Sequence, residues 1–379
     1  MSSPAATAAR LGVAIVLGGM LVAAVLGGLL RAGAIGLPLA GSEFIGRAAV
    51  LHAALMLSSF LGSVIAVERA VALRQRWAYL APLCGVAQGA CLLLVAGPLS
   101  FPLAAAFGVL AALCFVAVNV VLLARQPQAH MVVMFAGSLA WLVGNGVYAW
   151  QQDAGLALLW WFAFVVLTIT AERLEMARLM PRHPLSRPLL MVALLCLLAG
   201  LVTAMFDLRH GCLLFGVALL MLALWLVTFD VARRTVRTHG LSRYMALCLL
   251  SGYGWLMLSG LAWMVQALEL EQGIALRDVA LHALALGFVM SMVMGHAPVI
   301  LPAVARVKVL FGPWFYAPLA LLHGALPLRC AGAWGHPGLR SLGALLNAVA
   351  IALFVLTMLG SAWAWRRQHQ HAEAPSHPA

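Results

Sequence analysis

Polar positions along this chain come in short clusters, and between them lie apolar runs of about twenty residues. Each run is long enough, as an α-helix, to span a ~30 Å hydrocarbon core. Twelve are legible: 11–30, 48–67, 78–96, 103–123, 131–150, 155–174, 188–206, 211–229, 243–265, 279–301, 313–331 and 342–364. The pattern predicts an all-α membrane protein with twelve transmembrane helices in one domain over residues 1–365, and no soluble domain. The first run follows Arg10 and has the length of a signal peptide. No small-residue cleavage site followed by a soluble domain comes after it, so it reads as helix one. Residues 366–379, RRQHQHAEAPSHPA, read as a disordered cytoplasmic tail.

Composition strengthens this picture: 64% of residues are hydrophobic and 9% charged, against roughly 25% charged in a soluble protein. The net charge of +12 would suit a nucleic-acid partner, but its distribution argues otherwise. With an even number of helices, both termini and the loops after helices 2, 4, 6, 8 and 10 share one face. That face collects seventeen of the 23 basic residues, Arg178, Arg182 and Arg306 among them. The other face holds six: Arg31, Arg47, Arg209, Arg277, Arg329 and Arg340. Basic residues accumulate on the cytoplasmic side, so both termini are expected there and the charge reads as a topology signal. The seven cysteines are scattered without a close pair and read as small core residues.

Two stretches suggest internal repetition. GSVIAVERAVALRQR and LTITAERLEMARLMPR both end a span with a Glu-Arg step, at Glu68-Arg69 and Glu172-Arg173. Four helices separate them, which suits a pseudo-threefold arrangement of four-helix units; a transporter-type repeat would suit it as well. Each pair also reads either as part of a proton pathway or as a structural ion pair, with the long arginine snorkelling to the interface.

Unpaired polar groups inside lipid are costly, so intramembrane histidines carry most of the chemical signal. They are His52, His282, His296 and His323. His52 stands five residues after Arg47 and His282 five after Arg277. On parallel helices with ~1.5 Å rise per residue, both imidazoles lie at one depth. Two such histidines could ligate a single haem iron, with its propionates toward Arg47, Arg277 and Arg329. His296, fourteen residues after His282, is ~21 Å further along and about 40° round an ideal helix. It precedes Pro298 and Pro302, where the helix should bend or break. It is a second ligand site, a proton-handling residue, or a partner for a freed carbonyl. Histidines that merely bond across helices are the plain alternative. Met290, Met292 and Met294 form a soft-metal run or ordinary core. Asn145, Tyr148 and Tyr253 are intramembrane hydrogen-bonding groups.

The segment LHAALMLSSFLGSV resembles the second helix of haem–copper oxidase subunit I, and Asp278, His282 and GFVMSMVMG resemble its tenth. The resemblance implies twelve helices in pseudo-threefold order with both ends inside, and a low-spin haem held by His52 and His282. The oxidases also carry copper-ligating histidines on helices 6 and 7, which 155–174 and 188–206 lack. The chain is therefore closer to the NnrS-type membrane proteins, twelve-span relatives described as containing haem and copper and associated with nitric oxide metabolism.

That resemblance implies a haem b protein of the bacterial inner membrane, linked to nitric oxide or other small-gas and redox chemistry. Copper, if present, would draw on His296 or His323. Expected partners are the lipid bilayer and a gas or redox partner, with no nucleic acid. Whether the chain is an enzyme is open. The alternative is a cofactor-free proton-coupled transporter using His296, Glu68 and Glu172; a structural subunit is a third reading.

Overall fold

A computed structural model describes residues 4–36, 42–177, 183–268, 273–305 and 307–372. Arg178, Arg182 and Arg306 of the basic count lie outside the described residues, as does the tail from Glu373. All regular structure among the described residues is helical, with no strand. Among the described residues, and apart from the short helices Arg76–Tyr79, Ala232–Thr235 and Pro313–Phe315, the elements form twelve rods: α1 (Pro4–Arg31), α2 (Ser42–Val50, Ala54–Leu61 and Gly62–Leu73), α3 (Leu80–Leu94) and α4 (Ser100–Arg125). After them come α5 (Ala129–Gln151), α6 (Ala154–Ala177), α7 (Ser186–Ala204) and α8 (Leu208–Phe229). The last four are α9 (Gly240–Leu268), α10 (Gly273–His282, Ala283–Met290 and Ser291–Ala305), α11 (Tyr316–Gly332) and α12 (Pro337–Ala372).

Among the described residues, ten of the rods contain a stretch long and apolar enough to cross a bilayer. α1 offers a shorter apolar stretch among the described residues, Ile15–Arg31, and α11 has 17 residues. α12 runs on through Arg366 to Ala372, past the point where the sequence suggests an irregular tail.

Two rods depart from α geometry. In α2 the middle section Ala54–Leu61 is π-helical, and in α10 so is Ala283–Met290. The π section of α2 begins two residues after His52 and that of α10 directly after His282, each at a Leu-His-Ala step (51–53 and 281–283). α10 nevertheless continues through Pro298 and Pro302 to Ala305 without the expected break.

The most enclosed of the ten apolar stretches is α6. Trp141 of α5 stacks on Phe164 of α6 at 5.1 Å, with Phe115 of α4 edge-on to both. Beside this stack, Ser58 Oγ donates to Asn145 Oδ1 at 2.7 Å and accepts from Trp141 Nε1 at 3.2 Å. Asn145 also donates to Gly108 O and accepts from Trp161 Nε1. Asn145 thus ties together α2, α4, α5 and α6, where water cannot compete for its amide.

Candidate functional site

A cavity of about 780 Å³ opens between α1, α2, α5, α6, α10, α11 and α12. That volume lies within the roughly 300–1,000 Å³ of small-molecule and cofactor sites. Its walls include both His52 and His282, so the equal-depth pair inferred from sequence does meet in one space. Deeper walls are apolar, with Met56, Leu57, Phe162, Leu286 and Ile351. The polar wall carries Arg31, Arg277, Arg329, Arg340, Asp153 and Asp278. Four arginines face two aspartates, an excess of two positive charges.

Hydrogen bonding fixes the tautomers. His52 Nδ1 lies 2.7 Å from Ala24 O, and His282 Nδ1 lies 2.8 Å from Asp278 O. A carbonyl only accepts, so each Nδ1 carries the hydrogen and each Nε2 carries the lone pair. This is the orientation of a ligating imidazole, its far nitrogen tied to a backbone carbonyl. Arg329 Nη2 donates to His282 Nε2 at 2.9 Å. It also reaches Asp278 Oδ1 at 3.4 Å, as does Arg340 Nη2. Several buried groups of the wall lack hydrogen-bond partners: Asp278 Oδ2, Arg329 Nε, Arg340 Nε and both amide atoms of Asn347. Asn347 is only 2% exposed.

Close helix approach positions His52. Gly27 and Gly28 of α1 leave room for α2: a Cβ on Gly27 would strike the Ala48 backbone, and one on Gly28 would lie 2.8 Å from His52 Cε1. The ring of His52 therefore rests on α1, within reach of the Ala24 carbonyl one turn earlier.

The remaining sequence candidates sort clearly. Arg277 and Arg329 line the cavity, but Arg47 does not. Its Nη2 donates to Leu92 O, Val95 O and Ser100 Oγ at 2.6–2.8 Å, binding α2 to the C-terminal end of α3. Free helix-end carbonyls attract a cation, so Arg47 is engaged structurally. Arg31 and Arg340 are in the wall instead; the sequence shows them only as two of six basic residues on the sparse face. Asp278 and Asn347 also belong to it, and no local signal marks Asn347.

His323 is pinned by neighbours. Trp255 Nε1 donates to its Nδ1 at 2.7 Å, so its hydrogen sits on Nε2, which faces Ser251 Oγ at 3.0 Å and Ser291 Oγ at 3.3 Å. Its lone pair is consumed, and it is not in the cavity wall.

His296 lies outside the cavity wall, in a second polar unit. Its Nδ1 bonds to Met292 O at 2.7 Å, and Arg173 Nη2 donates to its Nε2 at 2.8 Å. The carbonyl is one turn back, not the Met294 carbonyl that Pro298 frees. Arg173 Nε lies 4.0 Å from Asp230 Oδ2, which accepts from Tyr253 OH at 3.0 Å. Arg173 therefore turns inward, to residues from α8–α10, rather than snorkelling beside Glu172. Arg69 is likewise buried, with Nη2 3.6 Å from Met131 Sδ. The π section between His282 and His296 winds more residues into each turn. The 40° offset of an ideal α-helix therefore does not carry over: α11 supplies the arginine at one histidine, α6 at the other. Among the described residues, no group of three or more His, Cys, Asp or Glu side chains converges to hold a metal ion.

A family model described as "Domain of unknown function (DUF8744)" matches residues 10–363. No curated protein matches the chain, and no solved structure matches it.

Proposed function

The chain belongs to that family, DUF8744, and we propose that it is a haem-binding integral membrane protein with His52 and His282 as the axial pair. One observation carries the reading: a single cavity joins two imidazoles of ligating tautomer, an apolar depth and an excess of two positive charges. Haem b is amphipathic in the same sense, with an apolar macrocycle and two carboxylates. Arg31, Arg277, Arg329 and Arg340 are the groups to hold those carboxylates, and the unpartnered amide of Asn347 is a further donor. Bound there, haem would supply one-electron redox chemistry.

The chain's own residues prepare the site. Ala24 and Asp278 orient the two rings through their carbonyls. Arg329 occupies the lone pair of His282, and its two attachments let it leave the imidazole while keeping Asp278. If His52 and His282 both held the haem iron, the group would supply electron transfer rather than gas chemistry. Nitric oxide or another small gas would require a second haem or copper centre, with His296 or His323 as candidate ligands.

The proposal places all twelve rods across a bacterial inner membrane with both termini cytoplasmic, α1 and α11 reaching the ~17-residue lower limit for a crossing. A pseudo-threefold order of four-helix units is part of the same reading. The resemblance of α2 to α10, a Leu-His-Ala step followed by a π section, adds support for internal repetition.

The test is a visible spectrum of the purified protein, oxidised and dithionite-reduced, beside His52→Ala and His282→Ala. Sharp reduced-state bands in wild type, lost in either variant, are expected. A colourless wild type from haem-supplemented cells would sink the reading. The unit of His296, Arg173, Asp230 and Tyr253 favours a second reading, a cofactor-free proton-coupled transporter. Proton-coupled uptake lost in His296→Ala and Glu68→Gln, with a colourless wild type, would establish that one.

A further inference from the structure

We propose that the end of α12 bearing Arg366 and Arg367 forms a binding groove for one anionic phospholipid. The groove has a volume of about 440 Å³ and is open at the protein surface. Its floor is one face of α12: Leu353, Leu356, Thr357, Gly360, Ser361 and Ala364, at helical spacing i, i+3, i+4, i+7, i+8 and i+11. At 1.5 Å per residue that stripe is about 16 Å long, near half of a ~30 Å hydrocarbon core. A single acyl chain from one leaflet has that reach. Leu310 and Trp314 form the facing wall. They are fixed to the floor through Leu310 N to Ser361 O at 3.3 Å and Trp314 Nε1 to Ser361 Oγ at 3.0 Å.

The end of the stripe beyond Ala364 is cationic. Lys308, Arg366 and Arg367 are exposed there. Lys308 Nζ stands 5.1 Å from the Trp365 ring centroid, and Arg367 lies over Trp363 at 3.8 Å. These stacks keep the charges at the level where tryptophan favours the headgroup region. No Asp or Glu occurs anywhere between Asp278 and Glu373, so no carboxylate within that stretch neutralises them. An apolar slot about one leaflet long, with Lys308 and Arg367 held on tryptophan rings beyond its Ala364 end, fits a lipid phosphate above and its chain below. The inference stands apart from the haem reading and uses none of its residues.

Two variants separate the parts of the site. Gly360→Leu fills the slot with the charges intact. A Cβ there meets nothing within 4 Å, and leucine is the better helix former, so the fold is kept. Lys308→Gln, Arg366→Gln and Arg367→Gln together remove the charges and leave the slot. The full-length protein is equilibrated in nanodiscs of phosphatidylglycerol and phosphatidylcholine, extracted in mild detergent and analysed by native mass spectrometry. Wild type is expected to retain about one phosphatidylglycerol per chain. The triple variant should retain it roughly a hundredfold less well, at about fivefold per charge, and Gly360→Leu should lose it. Equal retention of phosphatidylcholine, retention unchanged in Gly360→Leu, or a wild-type dimer without lipid that Gly360→Leu separates would each overturn the proposal.

Discussion

Replacing Gly28 by valine puts branched carbon against the His52 ring, where even a Cβ would lie 3.2 Å from Nδ1. The ring must leave the Ala24 carbonyl, while the helix itself gains propensity. Loss of such an orienting contact typically costs 10–100-fold in metal affinity. Haem occupancy of Gly28→Val, read from the reduced-minus-oxidised spectrum at limiting haem, is expected to fall by about that factor with His52 still present. Full occupancy would show that the Ala24 bond is dispensable. A second residue-scale expectation concerns Asp207, the N-cap of α8, which accepts from the backbone N–H groups of Arg209 and His210. Its carboxyl is held below the ordinary carboxylate range, chiefly by the hydrogen bond from the His210 side chain and then that from the His210 backbone. A depressed folded pKa means the contribution is complete above the ordinary range and is lost as pH falls through the depressed value. The protection of amides 208–212, taken relative to their intrinsic exchange rates at each pH, should therefore fall on acidification in wild type. In Asp207→Ala, which removes the cap acceptor, that protection should already be low and nearly independent of pH.

The π sections set the facing of the two histidine-bearing rods. Removing one residue from 283–290 lets that section relax toward α geometry, and one residue of α-helix is about 100° of rotation. His282 and the Ser291–Ala305 section cannot then both keep their partners. We expect a one-residue deletion there to abolish the haem spectrum while the protein still inserts, and to lower its thermal stability in detergent. A deletion variant with a wild-type spectrum and stability would mean the π section is not needed to aim His282. Sequence periodicity leaves this feature invisible: an apolar run with no polar face looks the same in α and π winding. The Leu-His-Ala step at 51–53 and 281–283 is the only local trace of it.

For the whole molecule, the asymmetry of basic residues makes a definite statement about sidedness. Gln75, between α2 and α3, and Gln152, between α5 and α6, are both exposed and belong to opposite faces. In whole cells, with the seven native cysteines replaced, an impermeant maleimide should label Gln152→Cys and spare Gln75→Cys until the cells are opened. The reverse pattern would invert the topology and put the histidine cavity on the other side. Four of the six arginines on the sparse face converge on that cavity, so the minority charge is concentrated rather than scattered. Arg47 and Arg209 instead bind carbonyls at helix ends. Nothing in their sequence surroundings separates these two from the other four.

Hydropathy is local and nearly additive along a chain, so the runs of apolar residues by themselves determined an all-helical protein with membrane-length helices. They also brought His52 and His282 forward as a pair, and both line one cavity. Which lone pair each histidine keeps, and which cation meets it, depends on partners far away in the chain. His282 meets Arg329 47 residues on, and His296 meets Arg173 123 residues back. His323 accepts from Trp255, 68 residues earlier. Hydrogen bonds are short-ranged and directional, so these roles exist only once the helices have packed, and the tertiary structure alone decided them.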